Sequence, residues 1–222
     1  MQDPREAVGP NHSDRDARAA QKKAWQAIQN LAADLKSGAS EAETKKRLTD
    51  LLKNLGSSKN WHPPQIRFGC NTTQPFGKPS QPNVLLQEND LFFLDIGPVF
   101  CINDVEYEAD VGQTFVLGSD SEMQALARDS EIIFNEVKER WSLGKLSGLP
   151  LYEFAKERAR LRGWRLSLEG ASGHRIGDFP HSVYHRGKLK SFDEPPTPNR
   201  WILEIHIFHP EREIAAFFED VL

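Results

Sequence analysis

The spacing of apolar residues along this chain changes period several times, and each change marks an element. Trp25, Ile28, Leu31, Ala32 and Leu35 recur at helical spacing within 15–36, and Gly38 follows as a stop. Ser40 and Glu43 make a capping box ahead of a second helix whose buried stripe is Leu48, Leu51, Leu52 and Leu55, with Gly56 as its exit. Over 61–82 the texture turns rich in Pro, Gly and Asn around a short Ile66-Arg67-Phe68 run, which predicts an ordered loop over a sheet. The run 91–102 reads as a buried strand and 107–117 as its antiparallel partner, with Asn103-Asp104 in the turn between them. Ser119 and Glu122 predict another capping box. It opens a long helix that carries Met123, Leu126, Ile133, Phe134, Val137 and Trp141 inward, and a fourth helix over 149–161 closes at Gly163. Strands at 164–168, 201–208 and 213–222 complete the order. Two helices, a strand pair, two helices and strands again describe an α+β domain with two similar halves. Residues 1–14 are polar, hold Pro4 and Pro10 and show no period, so they read as a mobile tail before a single domain over 15–222.

Composition narrows the function. With 222 residues, a net charge of −4 and no long basic block, the chain has little attraction for phosphate backbones or anionic lipid, so neither nucleic acid nor membrane is an expected partner. The first twenty residues lack the apolar core of a secretory signal, and Cys70 and Cys101 are the only cysteines. Both points predict a reducing, cytoplasmic setting with free thiols. Glycine-rich nucleotide loops, CxxC and HExxH are missing. Gly170-Ala171-Ser172-Gly173-His174 fails as a nucleophile elbow at its fifth position, and Ser142-Leu143-Gly144-Lys145 matches Ser-x-x-Lys only at the level chance produces.

The informative positions are acids inside the most apolar strands. Asp95 sits in Leu91-Phe92-Phe93-Leu94-Asp95-Ile96, Glu204 in Trp201-Ile202-Leu203-Glu204-Ile205, and Glu219 in Ala215-Ala216-Phe217-Phe218-Glu219. Burying such a carboxylate without a partner costs on the order of several kcal/mol. Any one of them alone reads as an ion-paired or edge-strand acid. Together with Asp110 they form a pattern, because the same number of residues separates Asp95 from Asp110 as separates Glu204 from Glu219. Each pair spans one antiparallel hairpin, and four clustered carboxylates call for divalent cations. Oxygen donors plus an imidazole suit Mn²⁺, Fe²⁺, Co²⁺ or Zn²⁺. Glycines flank His174, which can then be presented into a cleft, and His181 follows beside Phe179-Pro180.

In this order and context, Asp95, Asp110, His174, Glu204 and Glu219 resemble the five metal ligands of the pita-bread metallopeptidases, the family of methionine aminopeptidases, Xaa-Pro aminopeptidases, prolidases and creatinase. The resemblance covers roughly 15–222. It implies two pseudo-symmetric halves around a dinuclear site that holds two divalent ions and a bridging hydroxide. Asp95 would hold one ion and His174 the other, with Asp110 and Glu219 bridging. Glu204 would be both ligand and general base/acid. His62 aligns with a family histidine that contacts the scissile peptide, and His181 with one that stabilises the tetrahedral intermediate; the alternative for His62 is packing beside the prolines.

Three departures bear on the substrate. The first ligand pair is spaced wider than is usual in the family. Arg175 follows His174 where the family has glycine, and either binds a substrate carboxylate or points to solvent. The family's Glu-Pro-Gly becomes Glu204-Ile205-His206, which puts His206 on the face of Glu204 and toward the cleft. The expected activity is an aminopeptidase or dipeptidase that releases an N-terminal residue. The alternatives are hydrolysis of a small amide or amidino substrate, and non-catalytic peptide binding on the same scaffold. No extra N-terminal domain like that of the Xaa-Pro enzymes is expected, and the chain is read as a monomer or homodimer.

Overall fold

Helix α1 (Asp14–Asp34) starts where Ser13 accepts the Asp16 N–H, and it buries Ala20, Ala24, Ala27, Ile28 and Leu31 along one face. The structure is a computed structural model that describes residues 3–222 except Lys145, with the side chain of Ser58 also left aside; the Ser-x-x-Lys stretch therefore ends outside the described residues. Helix α2 (Glu41–Asn54) carries the expected capping box, with Ser40 and Glu43 each satisfying the other's backbone N–H. The next element differs from expectation. The Pro-rich segment is a strand, β1 (Ser57–Phe68), and only the residues after it form the loop. Prolines are tolerated because β1 lies at the sheet edge and its pairing with β2 (Asp90–Ile102) shifts register between His62 and Gln65, where Pro63 and Pro64 have no N–H to offer.

Strand β2 turns at Asn103 and Asp104, both at positive φ, into β3 (Val105–Glu108). The strand expected over 107–117 is interrupted at Ala109-Asp110 and resumes as β4 (Val111–Leu117), which pairs with β2. Helix α3 (Ser121–Gly144) is capped one residue later than predicted: the Asp120 carboxylate, not Ser119, accepts the N–H groups of Glu122 and Met123, each at 3.0 Å. Helix α4 (Gly148–Leu161), the short strands β5 (Arg165–Ser167) and β6 (His174–Arg175), and the hairpin of β7 (Trp201–Phe208) with β8 (Ala215–Val221) follow.

The sheet runs β1-β2-β4-β8-β7-β5, and β4 meets β8 at Gly112 opposite Glu219. Its two halves are alike in layout. Helices α1 and α2 cover β2 and β4 through Ile28, Leu31, Leu48, Leu94 and Ile96, and α3 and α4 cover β7 and β8 through Leu126, Ile133, Leu151, Leu203 and Ile205. Each such side chain, fully buried, contributes roughly 1.5–3 kcal/mol. Two clusters of this size outweigh the several kcal/mol that a group of acids at the junction costs, so the strands can carry charge where the halves meet.

The N-terminal segment is not a free tail over its described part. Glu6 is 3% exposed; its carboxylate accepts from the Trp201 indole N–H and from the Thr197 N–H. Gly9 N–H donates to Asp178, and the Arg175 guanidinium donates to the carbonyl oxygens of Arg5 and Ala7. No hydrophobic period marks such a segment, because hydrogen bonds hold it.

Candidate metal centre

Strand pairing brings the acids together. Glu204 lies opposite Glu219 in the β7–β8 ladder, and Asp95 lies opposite Gly112, two residues beyond Asp110. Asp110 is placed by its own backbone. Its N–H donates to Gln21 Oε1 at 2.9 Å, and Gln21 Nε2 donates to its carbonyl, so one glutamine of α1 holds the gap between β3 and β4. Asp95, Asp110, Glu204 and Glu219 are all at most 6% exposed. Both oxygens of Asp110 meet imidazoles: Oδ1 is 3.1 Å from His62 Nε2 and Oδ2 is 2.7 Å from His174 Nε2. Glu204 accepts a hydrogen bond from the Gly173 N–H through Oε2. Gly173 sits at φ +67°, and a Cβ there would fall 2.5 Å from that of Leu189, so only glycine presents this N–H.

The electrostatics follow from crowding. Burial, with Asp110 and Glu204 close by, pushes Asp95 up to about 7 despite the attraction of His62. Burial and the same neighbouring acids raise Glu219 well above the carboxylate range, and burial raises Glu204. Asp110 goes the other way: burial opposes ionisation, but His62 and His174 outweigh it and hold the group below its ordinary value. Burial works against a charge on His62, and Asp95 and Asp110 overcome it, raising the ring to about 9. Among the described residues no lysine or arginine forms an ion pair with these four acids; histidines pair with Asp95 and Asp110, and Lys188 bears on Glu204 at longer range. Glu219 Oε1 is buried with no hydrogen-bond partner at all. A buried carboxylate oxygen aimed at other carboxylates and left unpartnered fits a cation. Donor atoms of His62, Asp95 and Asp110, and of Asp110, His174 and Glu219, lie within 4.8 Å of one another. The donor set of carboxylates and imidazole is that of Mn²⁺, Fe²⁺, Co²⁺ or Zn²⁺.

These groups floor a cleft of about 200 Å³ that is walled by Trp61 and Phe76, with Arg186 and Lys188 at its exposed mouth. His181 also faces it. Its Nδ1 lies 2.5 Å from Glu108 Oε2 and its N–H donates to Glu108 Oε1. The Trp61 ring gathers the histidines, with centroids 4.4 Å from His62, 4.9 Å from His174 and 5.3 Å from His181.

Two expectations for substrate binding are corrected. Arg175 is 1% exposed and directed away from the cleft, its guanidinium donating to the carbonyls of Arg5, Ala7, Ile176 and Arg200. Residues alternate faces along a strand, so the neighbour of a residue that faces the cleft turns from it. His206 shares the face of Glu204 as expected, but it lines a narrow recess that adjoins the cleft at Asp95 and Glu204, with Nε2 donating to Thr72 O at 2.9 Å. Burial lowers its ring to about 4, so it is neutral and cannot pair with an anionic substrate. Sequence reasoning missed Gln21, Trp61 and Glu108. Gln21 left a signal, being a polar residue on the apolar stripe four before Trp25; Glu108 left another, two residues before Asp110 and thus on its face.

The family model of metallopeptidase family M24 matches residues 15–220. Among solved structures, the X-Pro aminopeptidase from Thermotoga maritima aligns with a TM-score of 0.73 at 18% identity, over 95% of this chain and 59% of its own. The prolidase from Pyrococcus horikoshii gives 0.71 at 19%, over 95% and 59%. The methionine aminopeptidase from Thermotoga maritima gives 0.69 at 12%, over 94% and 92%. At these identities the likeness is one of fold, and the fold is the pita-bread arrangement of two halves. The chain spans about three-fifths of the length of the X-Pro aminopeptidase and the prolidase. No curated protein matches it at the level of sequence.

Proposed function

The chain belongs to metallopeptidase family M24, and from that premise we propose that it is a metal-dependent aminopeptidase or dipeptidase that releases the N-terminal residue of a short peptide. The observation that carries this reading is the convergence of Asp95, Asp110, His174, Glu204 and Glu219, from separate stretches of the chain, on one cleft, with a buried Glu219 oxygen left without a partner. Asp95, Asp110 and Glu219 would hold one divalent ion and Asp110, His174, Glu204 and Glu219 a second. Ions bound there supply Lewis acidity that makes water a nucleophile near neutral pH and polarises the scissile carbonyl.

The protein's own groups do the rest. Glu204, raised by burial toward the range where a carboxyl both accepts and returns a proton, takes one from the attacking water and delivers it to the leaving amine. His181 lines the cleft with its orientation fixed at Nδ1 by Glu108, which places the ring to stabilise the oxyanion. Trp61 and Phe76 wall the cleft and exclude water from the reacting atoms. Arg186 and Lys188 at the mouth favour a substrate short enough for its C-terminal carboxylate to reach them. The turn of Arg175 away from the cleft takes away the cation that a small anionic amide would need beside His174.

The test is release of the N-terminal residue from di- and tripeptides, with and without proline at the second position, after loading with Mn²⁺, Co²⁺, Fe²⁺ or Zn²⁺ in turn. Metal-dependent release that is lost in Glu204→Gln supports the reading. Metal binding with no turnover of any peptide would leave a binding protein in its place.

A further inference from the structure

The face of the sheet that carries the acids continues one step beyond them. Gln65 of β1 lies opposite Asp95, and Arg67 lies opposite Phe93, two residues before Asp95. His206 stands two residues after Glu204 on β7, and Phe217 two before Glu219 on β8. Alternation along each strand keeps these side chains on the side of the acids. They line the recess, which shares Phe76, Asp95, Gly170 and Glu204 with the cleft and neither Arg186 nor Lys188 of its mouth. With those two residues taking the C-terminal end of a short peptide, the part of the substrate left for the recess is the side chain of the N-terminal residue.

The recess is small, and it carries one charge. Phe93, Ala171 and Phe217 pack as its apolar wall, and the His206 ring meets Phe93 and Phe217 edge-on at 6.0 and 5.6 Å. Its volume is about 20 Å³, room for about one or two waters or a group the size of a carboxylate. Arg67 is the only lysine or arginine among the described residues that line it, and it is 4% exposed. Its Nη1 donates to Ser80 Oγ at 2.5 Å, and its Nη2 to Gln65 Oε1 at 2.8 Å and Lys78 O at 2.5 Å. These acceptors are all neutral, and among the described residues the Nε–H donates to none and no carboxylate pairs with the guanidinium. Glu41 and Asp95 act on it only at longer range. Glu41 is already committed to Phe68, Asn71 and Ser80, and Asp95 to the acid cluster. A buried guanidinium with a donor to spare and no counter-ion suits an anion.

We propose that the recess receives the side chain of the N-terminal residue and that Arg67 makes it select a short acid, aspartate, over the matching amide and over longer apolar side chains. This rests on reading the cleft as that of a peptidase acting on short peptides, and it names the residue released.

The experiment treats the full chain loaded with Mn²⁺ to two measurements: turnover of Asp-Ala, Asn-Ala, Ala-Ala and Met-Ala, and calorimetric binding of free aspartate, asparagine and alanine. Aspartate should be preferred over asparagine, which matches it in shape and lacks the charge, by at least about tenfold in kcat/KM and in affinity. Arg67→Gln should bring both ratios within about twofold, and Arg67→Lys, which keeps the charge without the planar fork, should restore part of the preference. Equal treatment of aspartate and asparagine by the wild-type chain overturns the proposal and leaves the peptidase reading standing, as does an Arg67→Gln chain with unchanged ratios. Selective binding of aspartate with no turnover of any peptide supports the acid pocket and removes the peptidase reading. The wild-type ratios need no variant, so an Arg67→Gln chain that fails to fold does not obscure the answer.

Discussion

Removing one acid from the centre should make the metal-free protein more stable, and the gain should depend on pH. Asp95 is pushed up to about 7 from an ordinary value of 3.8, first by burial and then by Asp110 and Glu204. A difference of about three units at about 1.4 kcal/mol each amounts to roughly 4 kcal/mol of folding free energy lost once the group ionises. The sign is that of a raised acid. The folded chain keeps a proton that the unfolded chain releases, so the penalty is absent below about pH 4, grows as pH rises through about 7 and is complete above it. Asp95→Asn keeps the shape and removes the charge. It also removes attraction to His62, 3.6 Å away, which returns part of the gain. The net expectation at about pH 8 is about 2 kcal/mol of added stability, or about 4–8 °C in Tm for a chain of this size. The assay is thermal unfolding in chelator at about pH 8 and about pH 5, followed by the same scans with Mn²⁺. Metal should raise Tm strongly in the wild-type chain and weakly in the variant, reversing their order. A variant no more stable than wild type at the higher pH, or equally shifted at both, would refute the picture of mutually repelling acids.

Other outcomes follow from the same geometry. Because Asp95, pushed up to about 7, holds a proton that a metal must displace, metal loading at about pH 6 should release protons and apparent affinity should rise with pH; calorimetry in two buffers of different ionisation enthalpy reads this directly. Glu204→Gln should fold and lower turnover by about 10²–10⁴ or more, and near-normal turnover would take Glu204 out of proton transfer. Gly97→Ala would put a methyl against His62 and Trp61 in the wall of the cleft, so it should lower peptide turnover with a smaller loss of Tm than a core substitution gives. Arg175→Met takes the guanidinium away from four carbonyls, of which that of Arg200 keeps the Ile176 N–H, and should cost about 2–4 kcal/mol in urea unfolding while changing KM less than about twofold, as expected of a residue that secures the N-terminal segment.

Some of the site was visible in one dimension and some was not. Asp95, Glu204 and Glu219 stood out because a charge at the centre of an apolar run contradicts the period around it, and that contradiction needs no coordinates. The hairpin pairing of Glu204 with Glu219 followed from strand alternation and turn position. The same alternation, applied to Arg175, would have turned it away from His174 instead of toward a substrate. The Pro-rich stretch misled because proline argues against a strand in general but not at an edge with a shifted register, and edge position belongs to the sheet. Gln21, Trp61 and Glu108 act through partners 89, 48 and 73 residues away, contacts that no local pattern encodes.

What the order of residues determined alone was the inventory: helices and strands from their periods, a family from five ligand-type side chains in sequence, and the need for cations among them. Tertiary structure decided where each nitrogen and oxygen is aimed. It put His62 on the acids, His206 in a recess beside the cleft and Arg175 on the N-terminal backbone. The physical reason is that periodicity assigns a residue to a face, whereas hydrogen-bond partners brought from distant segments set the orientation of a side chain on that face, and chemistry depends on the second.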